Sequence, residues 1–410
     1  MRFSWKAACA VGALLSYVAV GSAAAQTIKF SYPVANSNPM GQTIDRFGEI
    51  VAEKTAGALR VQGFPDAQLG NEIQTMRFSW MAACAVGALL SYVAVGSAAA
   101  QTIKFSYPVA NSNPMGQTID RFGEIVAEKT AGALRVQGFP DAQLGNEIQT
   151  VSSAQGGIVE MGVTSTAGFA GTVAEFDLFN MPFIFANDRV LERMMRGKAV
   201  GQMLEKAGAV NLVGLCLWDY GFRNFTNNRG PINGIDDLSG LRMRTIQNRV
   251  YLDSLAALGV NPNPLPFPET YGALETGAID SNEIANSVTR STSFYEVQKY
   301  LTESRHFATA AVVYVGKRFW DQLSADQQGA LRASCDEAAA FNREIITTSG
   351  AETLAYLAEK GMQVNEIPAE NMAAIKAAVA PVIEQVKGRV DADLVTLFSS
   401  ELAAAEAQTN

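Results

Sequence analysis

The chain has 410 residues, of which 48% are hydrophobic and 18% charged, with a formal net charge of −8. An acidic chain with evenly mixed charges has no basic stripe for nucleic acid or anionic membrane surfaces. One histidine and four cysteines, with no cysteine pair at ligand spacing, argue against a multi-histidine or cysteine-cluster metal site.

The first 75 residues are written twice: residues 1–75 recur as 76–150, and the copies differ only at Lys6 and Met81. A structural repeat keeps its hydrophobic pattern while its surface drifts. Here the surface letters match too. Each copy opens on a short charged segment, runs through an apolar stretch and ends on alanines that follow Ser22 or Ser97. That is the order of a secretory signal peptide, with cleavage before Gln101 in the second copy. Neither copy has a twin arginine, which points to the general secretion route. Residues 1–75 therefore read as a duplicated copy of signal and mature N-terminus, 76–100 as the signal peptide, and 101–410 as the working protein.

Residues 1–100 hold 7 basic and 5 acidic side chains; removing them from 32 and 40 leaves 25 and 35, a net charge of −10. The remaining 310 residues are enough for two α/β domains with real cores. No apolar run after residue 101 is long enough to span a bilayer.

In chain order, residues 102–107 alternate like a strand, and Asn113-Pro114 opens a helix that Gly132 ends. Residues 134–138 read as a strand, 148–159 as a helix, 160–164 as a strand, 188–207 as a helix and 210–218 as a strand. Strands alternating with helices at this spacing indicate βαβ units on a largely parallel sheet. The pattern then restarts, with strands at 223–228 and 241–246, a helix at 250–258 and an extended proline-rich segment at 261–268. A helix at 269–276 and strands at 278–283 and 312–316 follow. Residues 325–360 form one helix, long enough to run along both domains, and helices at 372–385 and 392–407 close the chain. The expectation is α/β, with two lobes joined by strands that cross between two sheets and act as a hinge. Cys216 and Cys335 read as two buried thiols, a disulfide being the less favoured alternative.

No nucleophile elbow, phosphate loop or dinucleotide fingerprint follows a strand, so binding outranks catalysis and no cofactor is expected. Arginines at strand ends stand out. Arg223 lies among apolar neighbours, and Arg242 and Arg244 share one face of a strand with Arg244 nearer its carboxyl edge. Ligands of open α/β sheets bind at that edge, and the planar guanidinium fork matches a carboxylate. Structural pairing with an Asp or Glu is the alternative for each. Phe267 is a candidate pocket wall or core aromatic. Asn282 and Glu283 are candidates for ligand contact or strand-end capping.

At these residues the chain resembles the DctP-type solute-binding proteins of TRAP (tripartite ATP-independent periplasmic) transporters. The resemblance rests on WDYGFRNFTNNRGPI at 218–232, DLSGLRMR at 237–244, LPFPETYGALETGAID at 265–280 and YEVQKYL at 295–301. His306 and Lys317-Arg318-Phe319-Trp320 add to it. It implies two periplasmic-binding-protein lobes, mainly 101–220 and 221–315, with 316–410 as C-terminal helices spanning both. It implies a periplasmic monomer that binds a small organic acid and hands it to TRAP membrane subunits, or presents it to a signalling receptor. It places the carboxylate-gripping arginine at Arg244, a second arginine at Arg223 and the aromatic wall at Phe267. Further pocket positions fall at Thr164, Ser165, Trp218, Asn282 and Glu283, with His306 structural. One departure is Ile284, where many members carry an amide. It argues against sugar acids and C4-dicarboxylates.

Overall fold

The computed structural model of the protein describes residues 26–31, 39–55, 59–64 and 100–409. The expected signal peptide lies outside them except for Ala100. The chain forms two compact units, Met1–Gly96 and Ser97–Asn410. In the first, strands β1 (Gln26–Ser31) and β2 (Leu59–Phe64) pair in parallel, connected through the helix Pro39–Lys54. In the second, the same letters build β3 (Gln101–Ser106), the helix Pro114–Lys129 and β4 (Leu134–Phe139). The register repeats as well: Gln26 faces Leu59, and Gln101 faces Leu134. Asn113 caps the second helix by accepting from the Met115 N–H, and Pro114 takes the first turn, where no N–H is needed.

The second unit is built on one sheet, running β4-β3-β5-β10-β6-β9-β7-β8, with β11 beside β10. Its further strands are β5 (Met161–Ser165), β6 (Leu212–Asn227), β7 (Arg242–Thr245), β8 (Asn261–Pro264), β9 (Ser281–Ala285), β10 (Tyr300–Gly316) and β11 (Gln363–Glu366). The long antiparallel pair β6 and β10 crosses the molecule. Toward one lobe β10 pairs with β5, and toward the other β6 pairs with β9.

Several expectations change here. The segments read as strands 210–218 and 223–228 are one strand, and β10 begins at Tyr300 rather than near 312. The two expected sheets are accordingly one. Gly221, at φ +90°, looks like a break in sequence. Pairing with β10 carries the chain through it, with a register shift that leaves Tyr220 unpaired between Asp219 and Gly221. The helix read at 188–207 is also two, Asp188–Met195 and Lys198–Lys206. The break falls at Gly197, where the Glu401 carboxylate accepts from the Lys198 and Ala199 N–H groups and caps the new start.

The helix Ala325–Glu359 packs on the helix Pro114–Lys129, on β6 and on the helix Asn286–Ser291, so it touches both lobes. Cys335 on this helix is bonded to Cys216 on β6, with 6.0 Å between their Cα atoms. The disulfide therefore replaces the two free thiols expected. Next to it, Trp218 is wholly buried against Phe105 and Phe122, ring centroids 6.0 and 5.8 Å away, and donates to the Cys335 carbonyl. Among the described residues no helix is long and apolar enough to cross a membrane.

Candidate functional site

A cavity lies where β6 and β10 cross between the lobes. One wall carries Pro108, Glu147 and Ser165. The crossing strands supply Tyr220, Arg223 and Thr309. The opposite wall is Arg244, Ile246, Phe267, Ile284, Ala285 and Val288.

Arg244 lies in β7, paired in parallel with β8 and β9 on either side. Its side chain is buried, with Nε and Nη2 donating to the Leu265 carbonyl at 3.2 and 3.1 Å. The Phe267 ring centroid is 5.7 Å from Cζ. Among the described residues no carboxylate forms an ion pair with it. Burial, then the charge of Arg223, push its pKa down to about 10, so it stays cationic at neutral pH.

Arg223 is already matched. It reaches the Glu283 carboxylate through both Nε and Nη2, the latter at 2.9 Å from Oε1, and Nη2 also donates to the Glu283 carbonyl. The Thr245 hydroxyl donates to Oε1 at 2.7 Å, and His306 Nε2 is 3.5 Å from Oε2. Burial alone would raise the Glu283 pKa. The Arg223 charge and its hydrogen bonds, with His306 close by, outweigh it and hold the carboxyl at about 2. His306 stacks on Phe225 with 4.0 Å between centroids, and its Nδ1 bonds Ser304 at 2.7 Å. Burial keeps its pKa below the usual histidine value.

Of the eight sequence candidates, Arg244, Arg223, Phe267 and Ser165 line the cavity and four do not. Glu283 is spent on Arg223. Asn282 is fully buried, both amide atoms lack a partner among the described residues, and its backbone registers with Arg244 and Thr226. Thr164 is bonded to the Tyr314 hydroxyl at 3.0 Å. Trp218 belongs to the core described above.

Sequence reasoning missed Glu147, Tyr220 and Thr309. Glu147 opens the helix Glu147–Gln155, which Asn146 and Gln149 cap reciprocally, and its Oε1 accepts from the Ser165 N–H at 2.7 Å. Tyr220 is the residue left over by the register shift in β6, and burial keeps its phenol neutral. Among the described residues no cluster of His, Cys, Asp or Glu could hold a metal ion.

A cavity closed by two lobes and floored by the strands that join them is the architecture of an extracytoplasmic solute-binding protein rather than an enzyme. The chain belongs to the DctP family, bacterial extracellular solute-binding protein family 7, whose family model matches residues 105–388. It is 32% identical over 303 residues to the C4-dicarboxylate-binding periplasmic protein DctP of Rhodobacter capsulatus, covering 73% of this chain and 91% of that one. It is 30% identical over 275 residues to the 2,3-diketo-L-gulonate-binding periplasmic protein YiaO of Escherichia coli, covering 67% and 84%. Among solved structures, the sugar acid binding protein DctPAm of Advenella mimigardefordensis, in complex with galactonate, matches with TM-score 0.72 and 34% identity. That match covers 75% of this chain and 99% of the other. A TRAP periplasmic solute-binding protein of Sulfurospirillum deleyianum with bound succinate matches with TM-score 0.69 and 28% identity over 73% and 98%.

Proposed function

We propose that this protein is the periplasmic receptor of a TRAP transporter, capturing a small organic acid between its lobes and delivering it to membrane subunits. The observation that carries the reading is Arg244. A buried guanidinium whose hydrogen bonds, among the described residues, go only to a carbonyl calls for an anion, because a buried charge is stable only when paired. A ligand carboxylate supplies two oxygens in the geometry of the fork. The ligands named for the related proteins are organic acids, which fits this cation.

The pocket also suggests how many charges the ligand carries. Arg223 is neutralised by Glu283, and Glu147 adds a negative charge to the facing wall. Among the described residues Arg244 is the cavity's one cation without an ion pair, which suits one carboxylate. Ile284, Val288 and Phe267 offer apolar surface to the rest of the molecule. Monocarboxylates with a less polar far end should therefore rank above densely hydroxylated sugar acids and C4-dicarboxylates.

A thermal-shift screen of organic acids tests the reading. A ligand at a hundred times its dissociation constant adds about 2.7 kcal/mol of stability. Solution scattering with the best ligand should give a smaller radius of gyration than without, since binding to both walls favours the closed state. The receptor reading fails if no carboxylate stabilises the protein.

A further inference from the structure

A buried hydroxyl without a partner is costly and calls for an explanation. Thr309 is such a group. It lies in β10 opposite Gly221, beside the register shift that leaves Tyr220 unpaired. The residue is buried, among the described residues its Oγ1 has no hydrogen-bond partner, and it lines the same cavity as Arg244. The Tyr251 hydroxyl is close enough for Thr309 to influence its ionisation. The pair nevertheless lacks hydrogen-bond geometry, and the Tyr251 oxygen is itself unpartnered. Along this strand Ala308, Ala310, Ala311, Val312 and Val313 are all apolar and buried. Valine would fill the threonine's space, so packing does not account for the hydroxyl.

Resting on the carboxylate-receptor reading, we propose that Thr309 binds an oxygen substituent on the captured acid. The natural ligand is then a hydroxy or oxo monocarboxylate rather than a plain alkanoate or arylalkanoate. A threonine hydroxyl can donate to an oxo oxygen or accept from a hydroxyl, so it serves both classes. Arg244 takes the carboxylate, Thr309 takes the oxygen, and Ile284, Val288 and Phe267 cover the remainder. Acids without that oxygen leave the Thr309 hydroxyl buried and unmet, which is how a site rejects the analogue lacking a polar group.

The test compares matched acids by calorimetry: 2-hydroxy-3-methylbutanoate with 3-methylbutanoate, 3-hydroxybutanoate with butanoate, and mandelate with phenylacetate. Wild type should bind the hydroxylated member of at least one pair about tenfold more tightly. Thr309→Val should erase that preference through weaker binding of the hydroxy acid, with the plain acid little changed. Thr309→Ser, which keeps the hydroxyl, should retain it. A preference that survives in Thr309→Val, or a wild type that binds plain acids equally well, overturns the proposal and leaves the receptor reading intact. If wild type binds none of these acids nor any carboxylate in the wider screen, the receptor reading fails and Thr309's role with it.

Discussion

Arg223 and Arg244 line one cavity, yet only Arg223 is matched by a protein carboxylate, that of Glu283. The two arginines therefore do different work. Arg223 ties β6 to β9 through a buried ion pair. In the proposed function, Arg244 is the cation left for a ligand carboxylate.

Truncating Arg244 should remove the anchor. Arg244→Ala is expected to cost about 2–5 kcal/mol of binding to the best ligand of the screen. Arg244→Lys should also bind weakly, because a point charge cannot replace the fork. Calorimetry on folded variants decides the matter, and near-normal affinity in Arg244→Ala would remove this arginine from the site.

Glu283→Gln should destabilise the fold by about 3–5 kcal/mol, since it strands a buried guanidinium. The pH dependence has a definite sign. The carboxyl sits at about 2 in the folded protein against an ordinary 4.5, so its contribution is present above pH 4.5 and fades as pH falls toward 2. Urea midpoints of wild type and variant should converge on acidification. Parallel curves from pH 7 to 3 would contradict the assignment.

Asp219 should behave in the opposite sense. Burial lifts its carboxyl to about 6, offset in part by the Gly221 N–H at 2.8 Å and reinforced by Asp188. The folded form holds its proton more tightly than the unfolded one, so ionisation costs stability as pH rises from about 4 through 6. Asp219→Asn should gain about 2–3 kcal/mol relative to wild type between pH 4 and pH 7. Denaturation at both values measures that difference.

The Cys216–Cys335 bridge closes a sequence separation of 119 residues. Loop-closure entropy makes such a cross-link worth about 4–5 kcal/mol. A Cys216→Ala/Cys335→Ala variant, which cannot rejoin, should melt well below the oxidised wild type and close to the reduced one. Equal melting of all three forms would show that the bridge adds nothing.

Ile284→Asn restores an amide at a wall position and should shift preference toward acids with a polar far end. Side-by-side titration of galactonate and 3-methylbutanoate reads the change as a ratio. If wild type already binds galactonate more tightly, Ile284 is not the filter.

Much of this architecture was legible in the residue order. The cap at Asn113 and the start of the long helix near Ala325 gave the elements, the charged strand ends made Arg244 and Arg223 candidates, and the family resemblance placed them and Phe267 at the site. What stayed hidden depends on distant pairing. β10 is buried along most of its length, so Ala308 through Val315 carry no alternation to mark a strand or to single out Thr309. Period two would put Trp218 and Tyr220 on one face. The register shift between them breaks that rule, so Trp218 goes to the core and Tyr220 to the cavity. The sulfurs of Cys216 and Cys335 meet only because the long helix lies across β6.

The twice-written N-terminus has a use for the experimentalist. Residues 26–64 and 101–139 share every letter, the same strands and helix, and the same register. Their surroundings differ: Ile28, Phe47 and Ile50 are 42%, 46% and 42% exposed, whereas Ile103, Phe122 and Ile125 are at most 1% exposed. The chain thus carries its own matched control for local against tertiary contributions to stability. Two strands and one helix alone are marginal in water. Amides of the first copy should exchange with solvent orders of magnitude faster than their twins, and the ratio, position by position, is the worth of the core to an unchanged sequence.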